Sequence, residues 1–402
     1  NRGGSFGLTL GDNATPTGAD HPTGPRVISL ANAVADQAAG LSPGDAIPVA
    51  RDGKAQVGAA ALEAAGFDRI ALKSRDAIRL ENDLALGTQR TLPLHEVTLD
   101  SPRIETAGGD ATLQADVLRL GNYDSARQNV SNPATPGSGT LTANARLLEL
   151  AGNQTLTGMA RAELKGDETI RLSGVSASTA DAPSGALRSA ADLVFHGAVV
   201  APSSFTQYTI SAPGRDVEFR RGAYSAAQPL SALGSLKVEA GNIVQGGTLQ
   251  APFGKIELAA TGSLVFRDGS ITSVASEPGR IIPFGQILNG QDWVVSAGGV
   301  RFEQDPLPEK SIRVSGATVD MQPGARIDVS GGGDLQAYEF TVGPGGSRDI
   351  LAGANIYAIL PGYASGFAPA DVQEGFDRAS GEAVYLSGVP GLADGVYTLL
   401  PA

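Results

Sequence analysis

The chain has 402 residues, past the size at which one packed core usually stops growing, and 42% of them are hydrophobic while only 5% are aromatic. That excludes a wholly disordered polymer and calls for a core of Leu, Ile, Val and Ala. The net charge of −12 argues against binding nucleic acid through its phosphates or docking on anionic lipid, and the absence of cysteine excludes disulfide-stapled and zinc-thiolate designs.

The 53 glycines follow no G-X-Y period, which excludes collagen. No apolar run approaches the length needed to span a bilayer, so no membrane span is expected. The chain opens at Asn1 with neither an initiator Met nor a signal peptide, and it stops at Leu400-Pro401-Ala402. A mature, processed protein and an internal piece of a longer chain both fit, and the abrupt start and unfinished end favour the piece.

Residues 1–26 are rich in Gly, Thr, Asn and Pro and read as irregular. Val27, Ile28, Leu30, Ala31, Val34 and Ala38 keep a spacing of three and four, which predicts a short helix. Ala59 to Ala65 predicts a second one, stopped by Gly66. Residues 1–66 thus form an irregular, short-helical segment. From Phe67 the texture changes to short triplets that read apolar, variable, apolar. Ile70-Ala71-Leu72, Ile78-Arg79-Leu80, Leu84-Ala85-Leu86, Val97-Thr98-Leu99 and Leu118-Arg119-Leu120 are examples. Each has the strand period of two, in pieces too short for a sandwich.

The clearest window is Gly234 to Ser276. Leu236 maps onto Ile256 twenty residues on, Ile243 onto Leu264 and Leu249 onto Ile271. A recurrence near 20 residues is the size of one coil of a three-faced β-helix. One coil cannot bury its apolar positions alone; stacked coils about 4.8 Å apart satisfy one another's backbone and pack like on like. The texture returns at Ile312-Arg313-Val314, 317–321 and 326–329. The expected fold is therefore all-β, a right-handed parallel β-helix (β-solenoid) over 67–342. It has loop excursions at 128–139 and 276–290, which are its candidate contact surfaces. A looser Gly/Pro/Tyr-containing region follows over 343–402.

No residue constellation points to chemistry, and the expected catalytic, cofactor and metal sites are none. His21, His95 and His196 have no second His at ligand spacing. Asp192 lies four before His196, a spacing that does not join them on a strand. Glu303 with Asp305, and Asp371, Glu374 and Asp377, read as solvated charges rather than paired catalytic acids. Gly331-Gly332-Gly333-Asp334 occurs once and reads as a turn, not as a calcium repeat. Gly343 to Gly346 lacks the third glycine of a dinucleotide loop. Asn13, Asn129 and Asn153 match the glycan acceptor pattern and carry little weight. Trp293, the only Trp, reads as a core or corner plug. The outward residues Arg79, Glu81, Lys237, Glu239, Lys255 and Glu257 alternate in sign, as in a solvated ladder of opposite charges.

Phe67-Asp68-Arg69-Ile70-Ala71-Leu72-Lys73-Ser74, with Asp76 to Leu80 after it, resembles a phrase of filamentous-haemagglutinin-like large exoproteins. The stretches 247–258, 356–363 and 395–401 resemble further parts of the same proteins, and the likeness covers roughly residues 60–402. It implies export through an outer-membrane transporter barrel in two-partner secretion. It also implies display at the bacterial cell surface or in the medium, and β-helical fibres that can self-associate. The implied role is a structural shaft in adhesion, biofilm or cell–cell contact, with host-cell, bacterial-cell or matrix surfaces as partners. Two alternatives stay open: a carbohydrate-active β-helix enzyme (a polysaccharide lyase or hydrolase), and a stalk presenting a toxin encoded beyond Ala402.

Overall fold

A computed structural model of the chain describes residues 3–11, 24–35, 53–129, 133–178, 182–224, 229–279, 281–288, 292–297, 300–303, 309–339, 356–359 and 383–401, with isolated positions between them. The molecule is all-β, with one α-helix and one 3-10 turn among the described residues. Among the described residues, twenty-four strands join in one sheet whose pairings are all parallel. The sheet nearly closes on itself as a solenoid.

The pairings sort the strands into three stacks. Face A runs from Ser5–Leu10 through Arg69–Ser74 and Glu96–Asp100. It continues through the second halves of Ala111–Gly121, Thr140–Ala151 and Arg161–Ser173. It closes with Val200–Pro202, Thr248–Gln250, Ile271–Ser273 and Arg326–Asp328. Face B carries Lys54–Gly58, Val27–Ala31, Ala77–Leu80, Arg103–Thr106, Asn153–Thr157 and Ser184–Ser189. Above them lie the first halves of Gln207–Arg221 and Ser235–Gly246, then Lys255–Ala260 and Ser311–Ser315. Face C begins at Leu84–Leu86, passes through Asp192–Gly197 and ends at Ser263–Phe266 and Thr318–Met321.

Side-chain alternation decides what fills the interior. Leu118, Leu148 and Ile170 stack in one column of face A, and Leu120, Leu150 and Leu172 in the next; all are buried. On face C, Phe195 lies on Phe219 with ring centroids 5.0 Å apart. One corner is a ladder of short polar side chains. Asn32 Oδ1 accepts from Ala85 N, Asn82 Oδ1 from Gly109 N, Asp110 Oδ1 from Thr140 N and Asn242 Oδ1 from Ser263 N, all within 2.9 Å. Each residue thereby satisfies a backbone donor of the next coil at the bend, where the strand ladder is interrupted.

Another corner is strained. Phe205, Leu233 and Phe253 occupy the same place in successive coils with φ of 57, 63 and 57°, a region that costs a side-chain-bearing residue about 1–2 kcal/mol. Each N–H is satisfied by the coil above, on Ala232 O, Pro252 O and Val274 O. Their side chains pack with Ile282, Phe284, Trp293 and Leu335 in a second apolar cluster, whose burial offsets the strain.

The coil pairs Leu236 with Ile256 and Ile243 with Leu264 as the 20-residue recurrence requires. Three expectations are corrected. Val27–Ala31 is a strand, not a helix, because Ile28 and Leu30 face inward between Lys54–Gly58 and Ala77–Leu80. Together with Ser5–Leu10 and Lys54–Gly58, it places three strands of residues 1–66 in the solenoid. Leu249 pairs with Thr272, not Ile271; Thr272 is the buried residue, and its Oγ1 accepts from the buried Gln245 Nε2 at 3.1 Å. The excursion expected as a loop at 276–290 contains the strand Ile281–Leu288, which forms a four-stranded sheet with Asp292–Ala297, Val300–Glu303 and Asp334–Tyr338.

The second expected helix is present at Ala59–Ala64. Gly66 ends it with φ +75°, its N–H donating to Glu63 O. The excursion that includes 128–139 takes the place of a face-B strand: Arg103–Thr106 pairs directly with Asn153–Thr157, and at its edge Gly158 N donates to Thr135 O and Gly137 N to Met159 O. In the C-terminal region, Tyr357–Ile359, Gly395–Pro401 and Ala383–Leu386 form a separate antiparallel sheet. No helix among the described residues is long and apolar enough to cross a membrane.

Candidate functional site

The most distinctive group of side chains sits on the outside of face A, under the start of the first excursion. Arg119, Glu149 and Arg171 occupy one register position in three successive coils. They point away from the core, between the buried Leu and Ile columns. On an open face such residues would be solvated. Here residues 122–128 fold back over them, and Glu149 has no exposure at all.

The carboxylate is closed in by partners. Arg171 Nε donates to Glu149 Oε2 at 2.7 Å, and its Nη2 contacts the same oxygen. Tyr123 OH donates to Oε1 at 2.6 Å, while Arg119 Nη1 lies 4.0 Å from that oxygen and Arg119 Nε 3.1 Å from Glu96 Oε1. Burial pushes the Glu149 carboxyl up, but the Arg171 and Arg119 guanidiniums and the hydrogen bonds from Tyr123 and Arg171 outweigh it and hold it at about 2. Burial and the Glu149 charge push the Tyr123 hydroxyl well above its ordinary value, against the two arginines, so it stays a donor.

The covering segment is fastened along its length. Tyr123 N donates to Asp100 Oδ1 at 3.0 Å, and Asp124 caps the turn Ser125–Arg127. Gln128 is buried; its Nε2 donates to Asn122 O and Asp124 O, and its Oε1 accepts from Asn153 N at 2.8 Å. Arg127 Nη2 pairs with Asp76 Oδ1 at 2.9 Å. Farther on, Thr135 N donates to Thr157 Oγ1 at 2.8 Å.

Comparison with protein-family profiles, curated proteins and solved structures finds no match to this chain. The site must therefore be read from its own chemistry. A carboxylate shielded from solvent, with its oxygens already taken, offers neither a base nor a ligand to a diffusing substrate. Among the described residues no group of three or more His, Asp or Glu could hold a metal ion.

The other candidates are scattered. His95 is buried just before Glu96–Asp100. His196 is half-buried on the outside of face C, where burial and Arg220 lower its pKa against Glu163 and Glu218. Asp192 does not meet it; its Oδ1 accepts from Asp216 N. Trp293 plugs the second apolar cluster, with Nε1 donating to Phe284 O at 2.7 Å. Gly332 and Gly333 have positive φ, and Asp334 starts a strand paired with Ile281. Glu303 ends a strand of the excursion sheet. Asn153 is bound by its Nδ2 to Gln128 O, and Asn129 is exposed. His21, Asp305, Asp371, Glu374, Asp377 and Asn13 lie outside the described residues.

The charge ladder is formed, with Arg79 pairing Glu81 and Glu105, and Lys237 pairing Glu239 and Glu257. The covered column was not singled out by sequence. Its signal is the recurrence of Leu118-Arg119-Leu120, Leu148-Glu149-Leu150 and Ile170-Arg171-Leu172 with charges of alternating sign at the middle position.

Proposed function

We propose that this chain is part of the structural shaft of a secreted or surface-displayed bacterial exoprotein of the filamentous-haemagglutinin-like kind, wound right-handed and acting in adhesion, biofilm or cell–cell contact. One observation carries the reading. Three continuous parallel stacks carry an outer surface of cross-paired charges, and the best-organised polar cluster is closed to solvent and fastens an excursion to the shaft. Such a surface builds length and presents loops, as a shaft requires. Right-handed winding follows the general preference of parallel crossover connections. In this role a two-partner transporter barrel would export the chain, and cell or matrix surfaces would be its partners.

The test is fractionation of the source cells followed by electron cryomicroscopy of the native material. The expected result is protein at the cell surface or in the medium, as rods with a repeat of about 4.8 Å along the axis. Compact particles retained in the cytoplasm would overturn the proposal.

A further inference from the structure

The last coil ends in an edge that has the form of a docking site. Ser311–Ser315 pairs with Lys255–Ala260 on one side, and among the described residues no strand pairs with its other side. Its inward Val314 is exposed, whereas Val238 and Leu258 in the same column are buried. Such an edge, with unpaired N–H and C=O groups beside an apolar column, accepts a further parallel strand.

The chain brings a strand to that place. Asp328 ends face A of the last coil. Lys310 Nζ then donates to Ser330 O at 2.6 Å, so the chain has already returned to the start of Ser311–Ser315. Asp334–Tyr338 follows Asp328 after five residues; lower in the stack, where face A also leads into face B, Lys255–Ala260 follows Gln250 after four. Leu335 and Ala337 lie 23 residues after the inward Ile312 and Val314, the same offset that sets Thr272 on Leu249. In the sequence the offset of 23 runs on from Val319 to Val342 and from Ile327 to Ile350.

Asp334–Tyr338 nevertheless sits on Ile281–Leu288, as the edge strand of the excursion sheet. That seat is imperfect. Pro283, opposite Gln336, has no N–H to give, and the register breaks between Pro283 and Gln286. Leu335 is only partly buried there. Three glycines, Gly331 to Gly333, join the strand to the coil. Gly332 and Gly333 take φ of 145 and 70°, and a linker of this composition can turn toward either edge.

We propose that the open edge of Ser311–Ser315 is a second seat for Asp334–Tyr338, which exchanges between it and Ile281–Leu288. On the excursion sheet the strand leaves the stack to end at the last coil. On the open edge it is the first strand of a further coil, with Leu335 over Ile312 and Ala337 over Val314. The partner of this edge is therefore a segment of the same chain.

The chain contains no cysteine, so introduced pairs report cleanly. Ile281→Cys with Asp334→Cys reads the seat on the excursion sheet. Arg313→Cys with Gln336→Cys reads the seat on the coil, and all four residues are exposed. Ser311→Cys with Asp334→Cys reads the coil seat at a second position. A disulfide forms only where Cα atoms come within about 7 Å, so each pair reports its own seat. Each variant is equilibrated in a glutathione buffer, and the amide exchange of Ser311–Ser315 is then followed.

The coil pairs should close in about a tenth of the chains or more. With either one closed, the amides of Ser311–Ser315 should exchange at least about tenfold more slowly than in the reduced protein, because their far edge then has a partner. With the excursion-sheet pair closed they should not slow. Coil pairs that stay reduced overturn the proposal. So do coil pairs that close without slowing the exchange, since they would have trapped a collision rather than a seated strand. The two coil pairs share no residue, so if one variant fails to fold the other decides.

Discussion

Glu149 shows how two large opposing effects leave a measurable remainder at one residue. Burial alone would raise its carboxyl; two guanidiniums and a phenolic donor bring it down from the ordinary 4.5 to about 2. Because the folded value is the lower one, the unfolded chain takes up this proton first as the pH falls. The stabilisation is therefore complete above about pH 5 and is lost as the pH drops from 4.5 toward 2. A depression of this size is worth about 3 kcal/mol. Urea unfolding of the wild type and of Glu149→Gln should differ by roughly that much at pH 7, with the gap closing toward pH 2. A gap independent of pH would mean that the native state does not hold the carboxylate ionised. Such a residue is illegible one coil at a time, for Leu-Glu-Leu looks the same whether or not a distant segment folds over it. Thr272 fails from sequence for a related reason. Choosing the apolar neighbour Ile271 as the inward residue is sound on average, but Gln245 already stands inside the coil and requires a polar partner.

Elements were most legible where short turns tie successive coils. Leu236 to Ile256 and Ile243 to Leu264 could be aligned because few residues separate one pass from the next. Val27–Ala31 is ambiguous in sequence because Val, Ile, Leu and Ala at 27, 28, 30 and 31 satisfy helical and strand spacings alike over five residues. Pairing on both sides decides the matter, and local spacing cannot report it. The excursion over 276–290 looked irregular because its prolines and glycines outweigh its strand formers, and its strand partner Asp334–Tyr338 lies far along the chain. The inward assignment can be tested directly. Ile256→Asp and Leu249→Asp each put an unpaired charge in a fully stacked column and should cost several kcal/mol, enough to lower the melting temperature sharply. Glu257→Leu, outward on the same strand as Ile256, should lie within about 1 kcal/mol of wild type. Melting curves for the three proteins decide this, and a tolerated Ile256→Asp would refute the register of face B.

At the scale of the whole molecule the solenoid is close to one-dimensional, since each coil touches only its neighbours and stability builds up from coil to coil. Position along the axis should then matter as much as side-chain identity. Leu258, Leu264 and Phe266 are almost wholly buried, yet Val314, Val319 and Met321, directly above them in the same columns, are 40, 49 and 50% exposed. Among the described residues no strand lies on their far side. Leu264→Ala leaves a cavity between two coils and should cost about 2–5 kcal/mol. Val319→Ala removes a half-solvated side chain and should cost less than about 1 kcal/mol, although both residues point inward on face C. Backbone hydrogen exchange should follow the same gradient. Amides of Ser311–Ser315, Thr318–Met321 and Arg326–Asp328 should exchange first, and those of Ala111–Gly121 and Thr140–Ala151 last, since these carry partners on both edges, the buried ion column and the fastened excursion. Uniform protection from one end to the other would instead mean that the coils open as a single unit. The two alanine variants would then lower the stability of every coil together rather than only that of their neighbours.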